Sequence, residues 1–149
     1  MRYYFAAMYA RHAELTGYAD ALEAVTDGKV VSRWHREVTP GLDNSFDAAF
    51  LATHPDQAWE HAQRDLEDLS NADAIVSFTG IGGRGGRHVE HGVAIVMTWG
   101  TEEIAGGDFR LIVVGPREHV FHCHPATEVY PDFAAFLEHE TVAAGADRA

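Results

Sequence analysis

Glu90 stands in the first turn of an otherwise apolar helical stretch, directly after the glycine-rich run Gly80-Ile81-Gly82-Gly83-Arg84-Gly85-Gly86-Arg87. Two readings of that carboxylate compete. It may only complement the positive end of a helix dipole, an effect of about 0.3–1 kcal/mol. Held ionised at the mouth of a sheet, it could instead attack an electrophilic sugar carbon. The run itself may be no more than a flexible turn. It also has the means to hold an anion, because backbone N–H groups gather at a helix N-terminus. Arg84 and Arg87 would add two guanidinium forks for a phosphate or carboxylate. Gly82, Gly86, Arg84 and Arg87 are therefore candidate ligand-binding positions.

Other chemistries fit these residues less well. Gly80, Gly82 and Gly85 satisfy the dinucleotide fingerprint G-x-G-x-x-G, but the motif follows a third strand and leaves too little chain for a dinucleotide domain. No Lys-Ser/Thr pair follows the glycines, which removes a P-loop. His88-Val89-Glu90 has the H-x-E of zinc deaminases, yet that site needs two further cysteines and Cys123 is the single one present. One cysteine also excludes an internal disulfide. His122, Cys123 and His124 read more readily as a polar rim than as a metal site, so neither metal nor cofactor is expected.

The elements that must position these residues follow from periodicity. Tyr3 to Ala7 reads as a first strand, and Leu15, Tyr18, Ala19, Leu22 and Val25 recur at helical spacing from His12 to Val25. Val30 to Trp34 reads as a second strand and 35 to 53 as a long excursion over the active face. A helix over Asp56–Ser70 turns Ala58, Ala62, Leu66 and Leu69 inward, and Asp73 to Phe78 is a third strand. A helix over His88–Trp99 follows the glycines. Leu111 to Gly115 is an unbroken apolar strand of the kind covered on both faces. Val120 to Cys123 is assigned as a fifth strand and Phe133 to Glu140 as a closing helix. This alternation predicts an α/β fold: an open, mainly parallel five-stranded sheet between helical layers, Rossmann-like or flavodoxin-like. Ligands in such sheets bind beyond the carboxyl ends of the strands. One domain is expected over 1–142, with 143–149 as a flexible tail.

Composition narrows the partner. Net charge is −12, which disfavours a nucleic-acid polymer but leaves room for a small nucleotide held by local donors. No apolar run approaches the roughly 20 residues of a membrane span, and no signal peptide is evident. A cytoplasmic location is expected.

The order of motifs adds a further expectation. Tyr4-Phe5-Ala6-Ala7, Asp65-Leu66, Asn71-Ala72-Asp73-Ala74-Ile75 and Gly85-Gly86-Arg87-His88-Val89-Glu90-His91-Gly92-Val93-Ala94 together resemble the nucleoside 2-deoxyribosyltransferase superfamily, over roughly residues 3 to 123. The resemblance implies that Glu90 attacks C1′ of a nucleoside or nucleotide to form a glycosyl-enzyme, and that Tyr4 orients it. It implies that Asp73 assists protonation of the leaving base, with Ala6, Arg33 and Trp34 among the substrate-binding positions. Classical members carry an aspartate where Arg84 stands, and their C-terminal asparagine has no match here. An arginine-rich loop suits the superfamily's nucleoside 5′-monophosphate N-glycosidases, in which water accepts the sugar. Transfer to a second base, hydrolysis, and nucleotide binding without chemistry all remain open, as does an unrelated flavodoxin-like domain. The resemblance also implies a homodimer or larger homo-oligomer.

Overall fold

A computed structural model describes residues 1–37, 48–81, 87–98 and 108–146. Five parallel strands form one sheet: β1 (Arg2–Ala6), β2 (Lys29–Val30), β3 (Ala74–Phe78), β4 (Arg110–Val114) and β5 (Thr127–Tyr130), in the order β2-β1-β3-β4-β5. The helices are α1 (His12–Val25), α2 (Ala48–Thr53), α3 (Pro55–Ser70), α4 (Arg87–Thr98) and α5 (Phe133–Ala146). The expected α/β class and the parallel five-stranded sheet are both present. The strand order reverses between β1 and β3, the place where such sheets open a ligand crevice beyond their carboxyl ends.

Apart from Arg2 and Arg110 at their first positions, the central strands β1, β3 and β4 are buried on both faces and, but for Ser77, apolar, as helical layers on each side require. Alternation assigns the faces. Tyr3 stacks edge-on against Phe136 of α5 and donates its hydroxyl to Glu140, so Tyr3 and Phe5 face the α1/α5 layer. Tyr4, Ala6, Ile75 and Ser77 then face α3 and α4, consistent with the pairing of Tyr4 with Ile75 and Ala6 with Ser77. On the opposite side, α1 buries Leu15, Ala19 and Leu22, spaced i, i+4, i+7.

Some elements depart from the sequence reading. β2 is only two residues long because side chains take over its ladder: Ser32 Oγ accepts from Phe5 N at 3.0 Å and Trp34 Nε1 donates to Phe5 O at 2.7 Å. The fifth strand is Thr127–Tyr130, and Val120–Cys123 forms a 3-10 turn instead. There His122 is buried, and the Phe121 ring lies on α4 so closely that a Cβ at Gly92 would meet it at 2.7 Å. That packing of single side chains onto α4 replaces strand pairing. α3 is rotated from the expected register: Leu66 is exposed, while Asp65 and Asp68 join Leu69 on the inner side. α5 runs on to Ala146, past the expected end at Glu140. Among the described residues no helix is long and apolar enough to cross a membrane.

Candidate active site

Parallel pairing sends the chain from the carboxyl end of β3 through the glycine run and into α4, which packs back over β3 and β1. Glu90, in the first turn of α4, thereby descends onto the face of β1 that carries Tyr4. The buried Tyr4 hydroxyl donates to Glu90 Oε1 at 2.7 Å. This joins two residues separated by 86 positions, and the sequence reading paired them.

Glu90 is half-buried where it meets Tyr4. Burial pushes its carboxyl group up from its ordinary 4.5 to about 7, the Tyr4 hydrogen bond pulls it back down, and the charge of Asp65 adds to the rise. Asp65 comes from the inner side of α3. Its Oδ1 is buried without a hydrogen-bond partner among the described residues, and burial raises it from 3.8 to about 6. Tyr4 feels both carboxylates: burial, then Glu90, then Asp65 hold its hydroxyl far above the usual phenol range. Two carboxyls raised towards neutrality beside a tyrosine can divide the labour between an ionised nucleophile and a proton donor.

The remaining expected residues fall in different places. Asp73 sits at the amino edge of β3, where Oδ2 accepts from Arg2 N at 2.7 Å and Oδ1 from Arg2 Nη2 at 2.7 Å. It is exposed and is not brought to Glu90. Ala6 is buried at the carboxyl end of β1, on the Tyr4 face. Arg33 is committed to α3, its Nε on Asp68 Oδ1 at 2.8 Å and its Nη2 on Glu67 at 2.7 Å. The Trp34 indole is buried and fixed to β1 by its bond to Phe5 O. Arg87, expected as a phosphate fork, is 1% exposed and its Nη2 donates to Glu118 Oε2 at 2.8 Å. Gly82, Arg84 and Gly86 lie outside the described residues.

The sequence reading offered neither Asp65 nor Glu118 as a site residue. Asp65 could have been found by trying α3 in a second register: His61, Ala62, Asp65, Asp68 and Leu69 also fall on one helical stripe, with a carboxylate at its centre. Glu118 follows β4 without any local pattern to mark it. Among the described residues no group of three or more His, Cys, Asp or Glu side chains is placed to hold a metal ion.

No family model matches the chain, and no curated protein matches it in sequence. Among solved structures it is similar to the Clostridium botulinum CMP N-glycosidase BcmB, with a TM-score of 0.54 and 16% identity, over 93% of this chain and 97% of that one. At that identity the likeness is one of fold, extending across nearly the whole of both chains.

Proposed function

We propose that this chain cleaves the N-glycosidic bond of a nucleoside or nucleoside 5′-monophosphate, in the manner of the nucleoside 2-deoxyribosyltransferase superfamily, with Glu90 as nucleophile. The observation that carries the reading is the Tyr4–Glu90 hydrogen bond beside a second raised carboxyl, Asp65, at the sheet's switch point. The motif order in the sequence and the fold shared with a CMP N-glycosidase support it from two independent sides.

The chemistry follows from the charges. As the C1′–N bond lengthens, positive charge grows on the sugar in an oxocarbenium-like transition state. The reactive form is the one in which Glu90 is ionised and Asp65 keeps its proton, and the Tyr4 hydroxyl stabilises the Glu90 charge. A Glu90 oxygen bonds to C1′ as the base departs with the bonding electrons and takes a proton from Asp65. Water then attacks C1′, Asp65 accepts its proton, and Glu90 is released. A second base in place of that water would make the same site a transferase. Water is the acceptor we favour, on the kinship with an N-glycosidase.

Incubation with a panel of nucleosides and 5′-monophosphates, with and without a second free base, followed by chromatography, tests the reading. Free base is expected from at least one substrate, and its release is expected to disappear in a folded Glu90→Ala variant. Full activity in that variant would refute the mechanism.

The same chain is expected to work as a homodimer. The outer face of α4 presents Val89, Val96 and Met97, with half-buried Val93 at its edge, flanked by Val120 and Phe121 of the 3-10 turn; Val89 is 66% and Val96 69% exposed. None of these six side chains carries a charge, in a chain whose net charge of −12 sets most of its surface against another copy. A twofold contact that places this face on itself satisfies both conditions.

A further inference from the structure

Glu118 bridges the two ends of the glycine run. Its Oε1 accepts from Gly80 N at 2.8 Å, and its Oε2 accepts from Arg87 Nη2 at 2.8 Å. Gly80 ends the passage out of β3 and Arg87 is the first residue of α4, so one carboxylate ties the exit of the strand to the start of the helix that carries Glu90. The need for an anion there is physical. Arg87 places a cation at the positive end of a helix dipole, and its guanidinium is buried, an arrangement that requires a paired carboxylate.

Glu118 is itself aimed by its surroundings. Gly115 turns the chain after β4 at φ +115°, where a Cβ would meet Thr79 Oγ1 at 2.5 Å. Thr79 Oγ1 then donates to Pro116 O at 2.7 Å, holding the turn against the end of β3. Beyond it, Glu118 N donates to Nδ1 of the buried His122 at 3.2 Å. The His122 ring packs edge-on against His91, centroids 4.9 Å apart, and His91 Nδ1 shares a 2.8 Å hydrogen bond with Ser77 Oγ of β3. The first turns of α4 are thus pinned at Arg87 through Glu118 and at His91 through Ser77. Glu90 lies between those two pins.

We propose that Glu118 is a positioning residue for the glycosidic reaction, acting through Arg87 and Gly80 to fix the rotation of α4 that points Glu90 at Tyr4. This rests on the reading of Glu90 given above. It also assigns Arg87 a structural partner in place of a substrate phosphate. A displacement of about 1 Å at a reacting group can reduce turnover by about 100-fold.

The test compares wild type with Glu118→Gln, which keeps the side chain's shape and an acceptor for Gly80 while removing the charge that Arg87 needs. In Glu118→Gln, kcat for base release is expected to fall by about 10- to 100-fold with KM changed by less than about threefold. Native-state amide exchange is expected to quicken at Gly80 and over residues 87–91, and to stay unchanged in β1, β4 and α5. If loss of that charge beside the buried guanidinium unfolds the variant, Arg87→Met/Glu118→Gln removes the cation as well. In the Arg87→Met background the Glu118 change should cost less than about threefold in kcat, since its route of action is already gone. Unchanged kcat in folded Glu118→Gln, or exchange that quickens everywhere or nowhere, would overturn the proposal. Should wild type release no base from any substrate, the glycosidic reading and with it the catalytic role of Glu118 fail together. The exchange pattern then still decides whether Glu118 holds α4.

Discussion

Removing the Tyr4 hydroxyl separates the two jobs that one hydrogen bond performs. The bond stabilises ionised Glu90 in the resting site and, in the proposed mechanism, again as charge builds on the sugar. In Tyr4→Phe the Glu90 carboxyl should rise further above about 7, because its downward pull is lost while burial remains. The acid limb of the kcat/KM profile should therefore move to higher pH, with activity at neutral pH about 10- to 100-fold lower. Asp65→Asn should act differently. It removes the proton donor, yet it also removes a charge that raises Glu90, so the acid limb should move to lower pH. Ordinary substrates should lose about 100-fold or more. N7-methylated purine nucleosides, whose base departs without needing a proton, should be cleaved nearly as well as by wild type. Equal losses on both substrate types would remove Asp65 from the acid role. The pairing of Glu90 with Tyr4 came from the resemblance in motif order, and the structure brings the two side chains within a hydrogen bond. Asp65 was hidden by a helix register that an apolar pattern alone resolves wrongly: Leu66 points to water and the carboxylate points in.

The strands and helices of the sheet core were legible for the same reason that they form. Continuous apolar runs mark β3 and β4, and the i, i+4, i+7 stripe marks α1. The 3-10 turn at Val120–Cys123 was not, since its conformation is set by what it packs on: Phe121 on Gly92, and His122 on His91. That packing is also sensitive to acid. Burial holds His91 near 3 and His122 near 4, against an ordinary 6.5. A folded-state histidine pKa below the unfolded one means that the unfolded chain binds more protons. Each of these histidines thus contributes its full stabilisation above pH 6.5 and loses it as pH falls towards the folded value. By pH 5 the loss is about 2 kcal/mol for a fully buried histidine. Glu90 and Asp65 work in the opposite sense: raised in the fold from 4.5 to about 7 and from 3.8 to about 6, they cost stability as pH rises between those values and return it on acidification. The histidine contribution is therefore best read as a difference. His91→Gln should be less stable than wild type at pH 7.5, and the gap should narrow by about 2 kcal/mol at pH 5 in urea melts at the two pH values. A gap independent of pH would mean that His91 titrates freely in the fold.

Across the whole molecule, charge and apolar surface are distributed unevenly, and the unevenness bears on assembly. A chain of net charge −12 repels its own copies over most of its surface, and screening by salt reduces but does not reverse that repulsion. The outer face of α4 is the place where a three-layer fold normally shows water a polar stripe. Here it shows Val89 and Val96, with Met97 50% exposed at its flank. The inner face of the same helix carries Arg87, Glu90 and His91, so its polarity is reversed relative to an ordinary surface helix: the functional groups point inward and the apolar ones outward. A second copy laid on Val89 and Val96 would remove that apolar surface from water without introducing charge into the contact. Sedimentation at micromolar concentration should give a dimer for wild type, strengthened by salt, and a monomer for Val89→Asp/Val96→Asp. That variant places two negative charges on each partner, four about the twofold axis, where desolvation and like-charge repulsion add. Because Glu90 shares α4 with this face, the same variant should also lose part of its base-release activity through a loosened helix, in proportion to the fraction of monomer. A wild-type chain that sediments as a monomer at all salt concentrations would instead leave α4 uncovered and remove the twofold contact from the account.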